Sequence, residues 1–407
     1  MANKIIVVGG GAAGMMAAIV AKRSGAEVII LERNDRVGKK LLATGNGRCN
    51  YTNLNININN YHGLNSQFAL NALKELNVDK TLEFFDDLGI TPADEDNGKV
   101  YPLSFQSSSM LDVLRYEMNH LGIELITEAF VAEVVKKKRF IVRLKDGRTF
   151  EGDKVILATG GMAMPVSGSD GSGYSIAKSL GHTVTEVYPG LVQLKLEGNI
   201  FKQVNGVKFV GVAGVYHKDN LIIEDSGDIL FTDYGISGPP ILQISRNAIG
   251  LMNKGMDVEL RISIIHTKTV EELSFYLIKR FGNMSMKTIE EGLIGLINKK
   301  LILPILKELN IDKNTNVGNI KNTDIDKLAK LLTSWSFKVI GNKGWGQAQV
   351  TAGGVNTKEV NSTTMESNIV KGLYIIGELL DIDGDCGGYN LQWAWSSGYM
   401  AGINAVK

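Results

Sequence analysis

Gly9, Gly11 and Gly14 follow the spacing G-x-G-x-x-G, directly after the β-branched run Ile5-Ile6-Val7-Val8 and just before an alanine-rich stretch. A glycine triplet alone is a weak signal, but Glu32 ends the next apolar run eighteen positions after Gly14. Strand, glycine turn, helix, strand and acid together make a dinucleotide-binding pattern. Gly9 permits the tight turn. Gly11 lets backbone approach a pyrophosphate with no Cβ in the way, and Gly14 lets the helix lie close on a sheet. Ala12 and Ala13 then open a helix whose free N–H groups and positive end face the phosphates. Glu32 has the two oxygens to accept both hydrogen bonds of a ribose diol, and Arg33 stands beside it.

Three further stretches carry polar or small residues suited to the same ligand. Residues 38–50 (GKKLLATGNGRCN) put Lys39, Lys40 and Arg48 among glycines, with Thr44, Gly45, Gly47, Cys49 and Asn50 between them. This is an anion-approach loop or a solvated turn. Leu157-Ala158-Thr159-Gly160-Gly161 ends a buried strand in small residues that let backbone touch a flat ligand. Residues 373–378 (LYIIGE) and 384–392 (GDCGGYNLQ) read as a strand, an acidic turn at Gly377-Glu378, a double glycine and a long helix. Gly387 and Gly388 would aim a second helix start, with Tyr389 and Asn390, at an electron-rich ring edge. Positive potential there stabilises an anionic reduced flavin. A dinucleotide fingerprint at one end of the chain and a glycine-helix element at the other specify FAD as the cofactor.

Proton donors are harder to read. Tyr389 lies in the ring-edge motif, Arg48 in the 38–50 stretch and Tyr101 further along the chain, and these three are the catalytic candidates. Cys49 and Cys386, the two cysteines, read as small core residues, because neither has a close partner of the kind a disulfide reductase needs. None of the five histidines stands in a ligand-like pair, so no metal is expected. His182 follows a helix and reads as serving its C-terminus.

The elements that must position these residues are read from hydrophobic spacing. Lys4–Val8, Met15–Ser24 and Glu27–Leu31 form one βαβ unit. Residues 50–60 read as a surface loop, although their alternation also allows an edge strand. Leu70–Leu88 and Ser109–Leu121 have helical periodicity. Phe130–Val135, Phe140–Leu144 and Thr149–Phe150 read as a meander feeding the buried strand Lys154–Ala158. From residue 189 the runs become short and alternating (191–196, 207–216, 221–231, 258–264). From 268 to 335 they turn helical, with Leu273, Leu277 and Ile278 on one stripe. The expected fold is α/β: a Rossmann-type FAD-binding domain (1–188 and 345–407) interrupted by a β-barrel-like domain (189–267 and 336–344) and a small helical domain (268–335).

Composition narrows the partners. Forty-four basic against forty-three acidic residues leave a net charge of +1, with no electrostatic footprint for nucleic acid or anionic lipid. No apolar run approaches the roughly 20 residues that span a bilayer. Ile5–Val8 runs into functional glycines rather than a cleavage site, so no signal peptide is expected. The reading is a cytoplasmic protein acting on a small molecule, without nucleic acid or membrane. Nothing in the sequence specifies an oligomeric state.

With those motifs in view, residues 38–50, 157–161, 168–182 (GSDGSGYSIAKSLGH), 231–245 (FTDYGISGPPILQIS), 351–355 (TAGGV) and 377–398 (GELLDIDGDCGGYNLQWAWSSG) resemble the BaiN-like/aminoacetone-oxidase-like flavoproteins, over nearly the whole chain. The resemblance implies FAD and the three-part architecture above. It also implies one of two activities: reduction of steroid or bile-acid enones, or amine oxidation. Many such proteins carry histidine where this chain has Asp233, so no role of that histidine carries over. The favoured expectation is NAD(P)H-linked reduction of an activated C=C in a small hydrophobic substrate. The alternatives are an aminoacetone-type amine oxidase producing hydrogen peroxide and a non-catalytic flavin redox sensor. Gly168-Ser169-Asp170-Gly171-Ser172-Gly173 has the wrong glycine order and no preceding strand for a second nicotinamide site, so NAD(P)H would bind only transiently.

Overall fold

The computed structural model describes residues 3–407. It divides into two compact units, residues 3–189 with 345–407, and residues 190–344.

The first unit is built on a parallel sheet. Its labelled elements are β1 (Lys4–Val8), α1 (Ala12–Arg23), β2 (Glu27–Leu31), β3 (Glu124–Ile126), β4 (Lys154–Leu157), β5 (Leu373–Ile375) and α2 (Tyr389–Ala405). The five strands run parallel in the order β5-β4-β1-β2-β3. Ile5, Ile6 and Val7 are fully buried, because a parallel sheet covered on both faces needs apolar side chains on both. Val8 pairs with Leu31 on one side and Leu157 on the other, and Leu157 pairs with Ile375. Four strands therefore end level with one another, and the carboxyl edge of such a sheet is where α/β proteins bind ligands.

The two ends of the chain meet at that edge. α2 packs along α1, and a Cβ on Gly398 would stand 2.5 Å from the Ala13 carbonyl oxygen. One on Gly402 would stand 2.8 Å from the Val20 Cβ. Glycine at these two positions, one helical turn apart, lets the helix backbones approach closely. Between β3 and β4 lies an antiparallel meander of Val131–Lys136, Phe140–Leu144 and Thr149–Gly152.

Three expectations for this unit change. Residues 50–53 are not surface loop: Asn50, Tyr51, Thr52 and Asn53 are buried, and Thr52–Asn53 pairs with Lys99–Val100. The apolar Tyr51 ring, set edge-on to Phe85 at 5.3 Å, draws the segment inward. The 70–88 run is two helices, Leu70–Glu75 and Val78–Asp87. They part at Asn77, whose side chain accepts a bond from the Lys80 N–H to cap the second. His182 sends only its backbone N–H to the preceding helix, at Ala177 O. Its ring reaches Glu359 and Ser367 instead.

The second unit holds a closed barrel with neighbours in the order Leu194–Leu196, Gly235–Ser237, Asn220–Thr232, Lys208–His217, Glu259–Ser263 and Trp335–Asn342. Val258, Leu260 and Ile262 alternate into its core. The stretch expected to be β-rich also contains a long helix, Pro239–Asn253. Its two leading prolines suit the first helical turn, where no intrahelical N–H bond is lost. Ile241, Ile244, Ser245, Ala248 and Ile249 then bury one face. The expected helical region contains Val270–Gly282, Ile289–Leu293, Lys299–Glu308 and Asn322–Thr333, and Trp335 opens a barrel strand rather than closing a helix. Ile278, expected in the stripe of Leu273 and Leu277, is 40% exposed. Among the described residues no helix is long and apolar enough to cross a membrane.

Candidate functional site

A cleft of about 1290 Å³, its open mouth included, lies along the carboxyl edge of the parallel sheet, within the first unit. Its floor comes from the strand ends and the turns next to them. Val8, Gly9, Gly11, Ala12 and Ala13 come from the end of β1 and the start of α1, Leu31, Glu32 and Arg33 close β2, and Ala158, Thr159 and Gly160 continue from β4. Gly377 and Glu378 lie just past β5, and Asn390 comes from the first turn of α2. Lys39, Lys40 and Thr44 form a side wall.

The glycine turn separates into distinct jobs. Gly9 has a left-handed φ of +104°, and a Cβ there would overlap Ala158 O at 2.5 Å. A Cβ on Gly14 would sit 2.0 Å from Gly9 O, so Gly14 serves the packing of α1 and is not part of the cleft wall. A Cβ on Gly11 would meet nothing within 4 Å, because the space above it is the cleft. No side chain caps the start of α1. Its first-turn N–H groups and positive end are therefore presented to whatever fills the cleft.

The Glu32 carboxylate, 6% exposed, is already engaged. Oε2 accepts from Gly10 N–H at 2.8 Å, and Oε1 accepts from the backbone and side-chain nitrogens of Asn34, both at 2.8 Å. A carboxylate has about four acceptor positions, so one remains for a ligand hydroxyl rather than a free pair. Across the cleft, Lys40 pairs with Glu378, and Glu378 Oε1 accepts from Thr351 N–H at 2.8 Å. Lys39 pairs with Asp35 at 2.8 Å. Thr159 and Ser169 line the cleft, but their hydroxyls turn into the protein, Thr159 Oγ1 towards Gly173 and Ser169 Oγ towards Gly160, with no hydrogen-bond partner among the described residues. Orphaned buried hydroxyls are rare in native proteins.

The remaining sequence candidates stand outside the cleft wall. A Cβ on Gly388 would overlap Thr52 O at 2.3 Å, and Gly387 O accepts from Asn53 Nδ2 at 2.8 Å. The visible work of both glycines is to seat the start of α2 against residues 52–53. Asn50 donates to Thr52 O and Val100 O. Burial pushes the Cys49 thiol up to about 12 against a weaker pull from Thr44, so it stays a neutral core group. Gly45 lies within 3.3 Å of the Tyr101 ring and Gly47 touches nothing nearby, both distances taken from an ideal Cβ.

Arg48, Tyr101 and Tyr389 gather in part. The Arg48 guanidinium lies 4.4 Å over the Tyr101 ring, donates to the Tyr101 hydroxyl at 3.3 Å and pairs with Glu95 at 2.8 Å. Burial raises the Tyr101 pKa and Arg48 works against it. Burial, then the neighbouring Asp385 and Cys386, raises that of Tyr389. Both phenols hold their protons at neutral pH.

Several cleft residues escaped the sequence reading: Asn34, Phe130, Ser167–Ser169, Ser172, Gln349 and Trp393–Ala394 among them. Trp393 and Ala394 had a signal, since they share one helical face with Asn390. Ser169 and Ser172 lie in the stretch set aside for its glycine order. Phe130 and Gln349 had none, because a single aromatic or amide at the start of an element looks the same in a core or a site.

A long cleft between two helix starts, with cations and an acidic acceptor that has one position open, fits an extended dinucleotide. The fold and cleft together define a Rossmann-type FAD-dependent oxidoreductase. The chain belongs to the family described as the HI0933-like protein Rossmann domain, whose model matches residues 3–404. It is 40% identical to a protein of Clostridium scindens named 3-dehydro-bile acid delta(4,6)-reductase, covering 100% of this chain and 99% of that one. It is 31% identical to a Haemophilus influenzae protein named ribosomal RNA dihydrouridine synthase, over 94% and 93% of the two chains. Among solved structures, an open flavocytochrome c3 fumarate reductase matches 99% of this chain and 78% of its own, at a TM-score of 0.50 and 17% identity. That is a likeness of fold.

Proposed function

We propose that this protein is an FAD-dependent reductase of a C=C bond conjugated to a carbonyl in a small hydrophobic substrate, with NAD(P)H as a transient electron donor. The whole-length 40% identity to a relative named for reducing a 3-dehydro bile acid carries the substrate class. Bound FAD supplies hydride transfer. The chain's own part is to hold the dinucleotide at the starts of α1 and α2, and to supply the proton that completes addition across the double bond. Tyr101, kept protonated by burial and contacted by Arg48, is the first of the three candidates for donor, with Tyr389 next.

A second reading has its own support. Two relatives, from Haemophilus influenzae and Escherichia coli, are named ribosomal RNA dihydrouridine synthase. The uracil 5,6 double bond is likewise conjugated to a carbonyl, so the same addition could act on a base in RNA. A net charge of +1 speaks against it, because RNA affinity rests on neutralising phosphates.

The test is anaerobic. Holoprotein is bleached with NADH or NADPH and then mixed with a steroid enone or with unmodified ribosomal RNA; in a separate aerobic arm, oxidised holoprotein is given an aliphatic amine. Bleaching by a nicotinamide and recovery of colour on adding the enone are expected. Recovery by RNA with formation of dihydrouridine would move the assignment to the second reading. Peroxide that depends on the amine, with no response to either acceptor, would overturn both.

A further inference from the structure

Outside the cleft, the segment 60–64 runs along residues 381–385, which come from the far end of the chain. Tyr61 and His62 pair antiparallel with Gly384 and Asp383, and Leu64 N–H donates to Asp381 Oδ2 at 3.1 Å. Three consecutive residues of the segment grip the turn that leads into α2. Asn60 Nδ2 donates to Asp385 Oδ2 at 3.0 Å, and Asn60 O accepts from Asp385 N–H at 2.9 Å. His62 Nε2 lies 2.7 Å from Asp385 Oδ1, and because a carboxylate only accepts, that nitrogen carries a proton. Between the two, the Tyr61 hydroxyl donates to Tyr389 O, the first carbonyl of α2, at 3.1 Å. The two rings meet edge to face at 6.2 Å. Burial raises the Tyr61 pKa well above the usual phenol value, so the hydroxyl stays a donor.

This grip is passed on to the cleft. Asn390, part of the cleft wall, accepts from Gly384 N–H through Oδ1 and donates through Nδ2 to Gly384 O and Asp385 O. Asn60, Tyr61, His62 and Asp385 themselves do not line the cleft. The Asp385 side chain is nevertheless felt in the first turn of α2, where, after burial, it is the next cause of the raised Tyr389 pKa. A carboxylate so close to a helix start offsets part of the positive potential that the helix offers a ligand. Here its two oxygens are turned to His62 and Asn60.

We infer that His62 is a positioning residue for the flavin chemistry: with Asn60 it anchors and screens the Asp385 carboxylate, so that the first turn of α2 keeps its positive end for the electron-rich edge of the ring. The inference rests on the FAD reading. His62 acts through Asp385, not by contact with the ligand.

The experiment equilibrates holoprotein with a reference dye of known potential and reads the ratio of reduced to oxidised flavin by absorbance. Flavin content and melting temperature are measured on the same samples. His62→Ala is expected to retain FAD and to lower the reduced-to-oxidised ratio at a fixed potential about two- to fivefold, the size of a charge acting on a helix end. Asp385→Asn is expected to raise the ratio, since the carboxylate charge is gone. In the Asp385→Asn background, His62→Ala should change the ratio no further, because the charge that His62 screens is absent. A lower melting temperature with an unmoved ratio would make the contact merely structural and overturn the inference. An equal effect of His62→Ala in both backgrounds would overturn it too, since His62 would then not act through Asp385. Should His62→Ala fail to hold flavin, His62→Gln, which keeps a donor but carries no charge, is judged by the same two criteria. Wild-type protein that binds no FAD would overturn the flavin reading itself.

Discussion

Gly11 and Gly14 lie three residues apart in one motif, yet the structure separates what each would cost to change. The space beyond Gly11 is cleft, whereas a Cβ at Gly14 falls 2.0 Å from Gly9 O. Gly11→Val should therefore yield folded, colourless protein, its melting temperature near that of wild-type apoprotein. Gly14→Val should lower stability outright. Visible absorbance and thermal unfolding of the two variants check this, and a yellow Gly11→Val would count against the cleft as the nucleotide site. Tyr101→Phe tests the proton donor. Flavin content should be unchanged, while turnover of the enone falls about 10²–10⁴-fold and loses its solvent isotope effect. Unaltered turnover would pass the role to Tyr389. At this scale the cleft-floor residues Gly9, Gly11 and Glu32 were legible because glycine and acid spacing has a mechanical meaning. The proton donors were not, because a tyrosine's chemistry depends on neighbours such as Arg48 that come from elsewhere in the chain.

At the scale of elements, His182 shows how a side chain can lock two segments together. Ser367 Oγ accepts from the N–H groups of Ile369 and Val370, so its own proton points to His182 Nε2, and Nδ1–H donates to Glu359. The ring is neutral, and burial lowers its pKa against the pull of Glu359. A lowered folded pKa means the unfolded chain binds the proton first. The contribution is therefore complete above the unfolded value of about 6.5 and is lost as pH falls through the folded value. Wild-type melting temperature should fall on acidification through that window, and His182→Gln should flatten the fall. An equal slope in both proteins would place the pH sensitivity elsewhere. Element identity was readable where apolar spacing was regular, as in β1, β2 and the meander. It failed at Pro239–Asn253 and at residues 50–53. There, short apolar runs suit helix, strand or loop alike, and packing partners such as Phe85 decide.

At the scale of the whole molecule, α1 from one end of the chain and α2 from the other close on each other through Gly398 and Gly402. Gly398→Val would force a side chain against Ala13 O and part the helices. Overpacking of this kind costs about 1–3 kcal/mol, and here it also spreads the two helix starts that flank the cleft. The variant should melt lower and lose flavin together. Retention of full colour at reduced stability would show that the cleft does not depend on the spacing of these helices. Cooperative unfolding followed by circular dichroism and flavin fluorescence on the same sample separates the outcomes.

Local spacing of glycines, acids and apolar residues was enough to read a dinucleotide turn, a parallel α/β core and an interrupting β-rich and helical segment, because each depends on contacts between residues near in sequence. Only the tertiary structure decided that Glu32 has one acceptor position left, that Gly387 and Gly388 pack against Thr52 and Asn53, and that residues 60–62 grip the turn leading into α2. Those facts depend on which atoms from distant segments arrive within hydrogen-bonding or van der Waals distance, and that is set by the packing of the assembled chain.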